Sequence, residues 1–270
     1  MSAVVQKIIG DLSPSKPWVS WEENAVAFYD ENYFLLACIA ASYLPMIFGL
    51  QRYMANREAF RLKVPLVLWN LALAAFSIMG AYNTVPHLLA QIRQTGVQGE
   101  ICRRGCYASP VSWWIFVFNL SKIPEFVDTI FLRLRKKPVI LLHWYHHIAT
   151  MLFCWYANQV GDIYNCTGFF FATMNLSVHS VMYLYYAVAA MGYARAMAKM
   201  NLNIVLTSIQ IIQMFGGIYF IYLGTKCEKI DFNGTVYSIV MYTSYAILFS
   251  LLFINKYCTS EDSKVKAKQK

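Results

Sequence analysis

The chain has 270 residues, 58% of them apolar and only 14% charged, with a mean hydropathy of +0.42. Those values exclude a soluble globular domain and describe an all-α integral membrane protein with several spans. The net charge of +9 is gathered at the ends of apolar segments, so a nucleic-acid partner is not needed to explain it.

The first 30 residues of the luminal N-terminal segment 1–32 lack a compact apolar core behind a basic start and are interrupted by Pro14, Pro17, Glu22, Glu23 and Asp30. A cleaved signal peptide is therefore not expected. Apolar segments near the roughly 20 residues that cross a bilayer then run over 33–51, 65–85, 111–132, 138–157, 167–190, 202–223 and 235–255. The first carries Pro45, and the third carries Lys122, Glu125 and Asp128. No repeat is evident, and 1–270 reads as one integral domain with a basic tail over 256–270.

Seven spans put the termini on opposite sides, and the basic residues choose the side. Arg52, Arg57, Arg61 and Lys63 follow span 1, Arg133, Arg135, Lys136 and Lys137 follow span 3, and Arg195 and Lys199 follow span 5. With the tail this side holds 15 Lys and Arg against seven opposite. The C-terminus is expected in the cytosol and the N-terminus in a lumen. Seven cysteines are scattered without CxxC pairs, which speaks against a structural zinc site. Cys102 and Cys106 after span 2 share the luminal side with Cys227 after span 6, where an oxidising compartment permits a disulfide. Cys227 with Cys102 is the expected pair, and Cys106 is the alternative. Sequons at Asn165 and Asn233 also face the lumen, close to the membrane.

Four of the five histidines lie within apolar spans. Ionisable groups at that depth cost several kcal/mol without partners or water, so a cluster marks function. Helical spacing places polar residues on one face of each helix. The stripes are Lys122, Glu125 and Asp128 on span 3, with Asn119 and Thr129 flanking them, and His143, His146 and His147 on span 4. Span 5 carries Asn175, His179, Met182, Tyr183 and Tyr186, with Tyr185 turned away from that face, and span 6 carries Thr207, Gln210 and Gln213. Four such stripes are expected to meet around one interior cavity. Gln210 and Gln213 alone would pass for interhelical glue, and Lys122 with Glu125 for a packing ion pair; three histidines on one face would not. Imidazole serves as base, nucleophile or metal ligand. Di-iron lipid desaturases and hydroxylases draw on more histidines than the five present here, one of which, His87, lies at the far end of span 2. No metal site is expected.

The ordered boxes Lys122-x-x-Glu125-x-x-Asp128-Thr129, His143-x-x-His146-His147, His179-x-x-Met182-Tyr183-x-Tyr185-Tyr186 and Thr207-x-x-Gln210-x-x-Gln213 resemble those of the ELO fatty-acid elongases, as does PLVLWNLALAAFSIMGA in span 2. The resemblance implies a 3-oxoacyl-CoA synthase of the endoplasmic reticulum, with six of seven helices enclosing an acyl tunnel open to the cytosol. It implies acyl-CoA and malonyl-CoA as substrates without a further cofactor, and reductase and dehydratase enzymes as partners. By position His146 would carry the acyl group and His179 would assist malonyl decarboxylation. His143, His147, Asp128 and Glu125 would orient the rings, and Lys122 would balance the carboxylates or meet the charge of CoA. Asn175, Met182, Tyr183, Tyr186, Gln210 and Gln213 would support the site and line the tunnel. Trp144 and Tyr145 in HWYHH resemble the branch handling saturated and monounsaturated chains. Phe169, Phe170 and Phe171 are candidates to close the tunnel, and Lys266 and Lys268 resemble a dilysine retrieval signal. The alternatives are a seven-helix receptor or transporter, and a metal-dependent lipid desaturase or hydroxylase.

Overall fold

The structure, a computed structural model, describes residues 28–103, 111–160 and 166–259. The expectations for the N-terminal segment, Cys106, Asn165, Lys266 and Lys268 lie outside those residues. The described helices are α1 (Tyr33–Met54), α2 (Lys63–Cys102), α3 (Ser112–Ser121), α4 (Phe126–Leu134), α5 (Leu141–Val160), α6 (Thr167–Val188), α7 (Ala194–Lys199), α8 (Leu202–Gly224) and α9 (Phe232–Phe253). Each of the seven apolar segments is helical, the third as the pair α3 and α4. Among the described residues four stretches are long and apolar enough to cross a membrane by length and composition: α1, α2, α8 and Phe232–Cys258, which contains α9. Large apolar side chains such as Phe34, Tyr82, Ile212 and Phe232 point outward while Asn70, Lys122, Glu125 and Gln213 are buried. That distribution suits lipid outside and a polar interior.

Span 3 departs from the unbroken helix expected of it. Pro124 has no N–H to give and its ring crowds the preceding turn, so the chain leaves the α-helix between Ser121 and Phe126. The bonds Lys122 N–H to Asn119 O, Ile123 N–H to Leu120 O and Asp128 N–H to Glu125 O span three residues. A turn of that tightness aligns residues three apart, so Lys122, Glu125 and Asp128 keep one face despite the break. Pro45, by contrast, is accommodated inside α1.

Contacts between neighbours close a ring: α2 on α3, α3 on α5, α5 on α9, α9 on α8, α8 on α6 and α6 back on α2. α1 stands outside it, against α4 and α5. Where α8 meets α9, a Cβ at Gly217 would overlap the Tyr242 ring; only glycine permits that approach. Gly96, at φ 73°, kinks α2 near its end. Beyond the kink the buried Glu100 is held by both Nε and a terminal nitrogen of Arg103, each at 2.8 Å.

A disulfide joins Cys102 at the end of α2 to Cys227 after α8, across 125 residues. Closing so long a loop restricts the unfolded chain, and its loss typically costs about 2–5 kcal/mol. Cys227→Ser is expected to lower the melting temperature and slow the non-reduced protein on gels; a melting temperature equal to that of the unaltered protein would contradict this.

Candidate active site

Inside the ring lies a cavity of about 530 Å³. It opens where α4, α6 and α9 end and α5 and α8 begin, with Arg135, Lys256 and Tyr257 among its lining residues. His143, His146, His147, Glu125, Asp128, Asn175, His179, Met182, Tyr183, Tyr186, Gln210 and Gln213 all line it. The four stripes therefore converge on one cavity. Lys122 does not line it, although it is the cation at its wall.

Lys122 is 2% exposed and its Nζ donates to Glu125 Oε1 at 2.7 Å and to Asn175 Oδ1 at 3.1 Å, while lying 4.1 Å from the centre of the Phe118 ring. Ser121 Oγ also reaches Glu125 Oε1, at 3.3 Å, and His179 Nδ1 stands 3.9 Å from the same oxygen. The buried ammonium is thus spent on balancing Glu125. Removing either member alone would leave an uncompensated charge.

Asp128 is anchored by two donors: Trp69 Nε1 on α2 at 2.6 Å and Tyr183 O–H on α6 at 3.0 Å. Both carboxylate oxygens are fixed, and three helices are tied together. Thr129 Oγ1 lies 2.9 Å from His143 Nε2 and 2.7 Å from Tyr43 OH. The chain Tyr43–Thr129–His143 brings the outer helix α1 into contact with the histidine box. His143 and His147 lie ring to ring at 4.4 Å, and His147 is enclosed by Tyr43 and Phe126.

Among the described residues His143 is bonded to Thr129, whereas the ring nitrogens of His146 and His147 have no hydrogen-bond partner; the His146 ring packs 4.9 Å from that of Tyr245. The Tyr245 O–H donates to the His146 backbone carbonyl at 3.2 Å and meets Thr150 Oγ1 at 2.9 Å. His146 also lines a second, smaller chamber of about 50 Å³ whose other walls include Phe118, Phe153, Cys154, Ala157, Phe171 and Tyr242. One side of the imidazole therefore faces a polar cavity and the other an apolar one.

Several sequence-based assignments change. Of Phe169, Phe170 and Phe171 only Phe171 lines the inner chamber; Phe169 and Phe170 pack in a core with Leu88 and Cys166 instead. Tyr185 lines the cavity alongside Tyr186, because the mouth is wide enough to reach two faces of α6. Trp144 and Tyr145 line neither space; Tyr145 OH meets Ser244 Oγ at 2.9 Å and fastens α5 to α9. Trp69, Tyr43 and Tyr245 escaped the sequence reading, since a single aromatic residue in an apolar helix looks like core. Among the described residues no three His, Cys, Asp or Glu side chains converge as a metal site.

The model of the family described as "ELO: GNS1/SUR4 family" matches residues 28–265. The chain is 40% identical over 243 residues to a human protein named very long chain fatty acid elongase 6, covering 87% of this chain and 89% of that one. It is 38% identical over 242 residues to a Trypanosoma cruzi protein named very long chain fatty acid elongase 4, covering 86% and 83%. It is also 38% identical over 237 residues to a Drosophila melanogaster protein named very long chain fatty acid elongase 6, covering 84% and 73%.

Proposed function

The chain belongs to the ELO: GNS1/SUR4 family, and from that premise we propose that this fatty-acid elongase condenses an acyl-CoA with malonyl-CoA, giving 3-oxoacyl-CoA, CoA and carbon dioxide. The observation that carries the mechanism is the position of His146 between a polar cavity and an apolar chamber. A ring nitrogen of His146 attacks the thioester carbonyl, CoA leaves, and the acyl group stays on the imidazole with its tail directed into the inner chamber. Apolar walls shield that reactive amide from water. His179 lines only the outer cavity, where it assists decarboxylation of malonyl-CoA. The carbanion equivalent so formed attacks the acyl carbonyl and frees His146.

His143 and His147, held through Thr129 and the aromatic residues around them, keep the His146 ring in place. Asp128, bonded to Trp69 and Tyr183, fixes the wall of the cavity. Arg135 and Lys256 at the mouth suit the phosphates of CoA. The HWYHH box supports saturated or monounsaturated acyl chains as substrates. The basic loops and the Lys266 and Lys268 tail support the endoplasmic reticulum membrane with the mouth in the cytosol, and the product then requires separate reductase and dehydratase enzymes. Purified protein given malonyl-CoA and a panel of acyl-CoAs tests this reading, with 3-oxoacyl-CoA as the expected product. Absence of product from every chain length would turn the reading toward a receptor or transporter.

The inner chamber also bears on chain length. Cys154 and Ala157 follow His146 along α5, and at 1.5 Å per residue Ala157 stands about 16 Å further along the axis. Ala157→Phe is expected to shift the preferred acyl chain shorter by a few carbons. Each methylene denied burial loses about 0.8 kcal/mol, or roughly fourfold in affinity. Competition between two acyl-CoAs of different length reads the shift, and an unchanged preference would place the chain elsewhere.

A further inference from the structure

The outer cavity and the inner chamber share four lining residues: His146, Asn175, Gln213 and Met214. An acyl group on His146, with its tail in the chamber and its other side toward the cavity, has its carbonyl in this neck. The chemistry at the neck is unusual for a lipid tunnel, because two of the four side chains are carboxamides.

The orientation of one amide is fixed by its partner. Lys122 Nζ lies 3.1 Å from Asn175 Oδ1, and an ammonium can only donate, so the oxygen of that amide is the atom facing Lys122. The Asn175 NH₂ group is then left with no acceptor among the described residues. Gln213 is 5% exposed, and among the described residues its amide likewise has no hydrogen-bond partner. Asn175 is half-buried and both residues line the open space of the neck, so each NH₂ group is free to donate to an acceptor that a ligand supplies there. Lys122 itself already donates to Glu125 and Asn175, and His179 lines only the outer cavity. The two amides are therefore the donors available at the neck.

We propose that the side-chain NH₂ groups of Asn175 and Gln213 form the oxyanion hole of this enzyme, an assignment that rests on His146 carrying the acyl group. When a His146 nitrogen bonds to the thioester carbonyl carbon, the carbonyl electron pair moves onto oxygen, where the two amides donate to it. Collapse breaks the C–S bond, and CoA leaves with the proton that the imidazole gives up. When the decarboxylated malonyl carbon attacks, a C–C bond forms at the same carbonyl carbon and the same oxygen becomes negative again. Breaking the C–N bond then returns the imidazole, which takes back a proton from solvent. One pair of donors serves both half-reactions because one carbonyl oxygen carries the charge in each.

Gln213→Met removes one donor while keeping length, and Asn175→Asp keeps the acceptor for Lys122 but replaces the NH₂ group by oxygen. The rate of acyl-adduct formation from acyl-CoA alone is measured by intact mass, alongside binding of a non-reactive thioether analogue of the acyl-CoA and thermal stability. Each substitution is expected to slow adduct formation about 10²–10³-fold, the scale of a lost oxyanion donor, with analogue binding and melting temperature retained for Gln213→Met. Adduct formation in Gln213→Met at the unaltered rate, or slowed only as far as analogue binding is weakened, would overturn the assignment and leave the histidine-borne intermediate standing. Unaltered protein that elongates without forming any adduct would overturn the intermediate, and the amide assignment with it.

Discussion

Lys122→Met is expected to destabilise the protein by about 3–5 kcal/mol, the cost of breaking a buried ion pair from one side. Glu125 is 3% exposed and its Oε1 is the atom on which Lys122, Ser121 and His179 all converge. Without the ammonium that carboxylate is left in the cavity wall with the Ser121 hydroxyl as its one hydrogen-bond donor. Asn175 Oδ1 loses its donor at the same time. Replacing both charges together behaves differently, because two apolar side chains carry no desolvation penalty. The double substitution Lys122→Met with Glu125→Leu is expected to recover most of the lost stability while remaining impaired in condensation, since Asn175 and His179 then lack their fixed neighbours. Thermal melting in detergent with an activity assay separates the two effects. A double variant no more stable than Lys122→Met would show that Glu125 does not depend on the ammonium.

His146→Ala is expected to lower condensation by several orders of magnitude, the scale on which loss of a covalent nucleophile acts. His143→Ala and His147→Ala should cost less, because His143 bonds Thr129 and His147 is enclosed by Tyr43 and Phe126. Both act by holding the box together. The distinguishing readout is adduct formation: slowed in the His143 and His147 variants, absent in His146→Ala. Equal residual activity in all three would indicate that no one imidazole carries the acyl group.

The convergence of four helices on one cavity was legible in the sequence because spacings of three and four put polar residues on one helical face. The prediction for span 3 held at the level of the face and missed the break at Pro124, although a proline without an N–H announces such a break. What could not be read was which apolar-looking residues close hydrogen bonds on the site. Trp69 on Asp128, Tyr43 on Thr129 and Tyr245 on the His146 carbonyl each need a contact across dozens of residues, and no local pattern encodes it. The candidate closing phenylalanines could not be ranked for a related reason. Phe169, Phe170 and Phe171 differ by about 100° each around the helix, so only one of the three is placed to face the chamber, and the sequence does not say which. That six of seven helices form the ring was implied by family resemblance, not by hydropathy; that α1 is the one outside was not read from the sequence.

Intact mass spectrometry of the purified protein incubated with acyl-CoA alone tests the central claim most directly. One acyl group is expected per chain, discharged as 3-oxoacyl-CoA when malonyl-CoA follows, and absent from His146→Ala. An adduct that persists in His146→Ala, or an elongating preparation that forms no adduct, would contradict it.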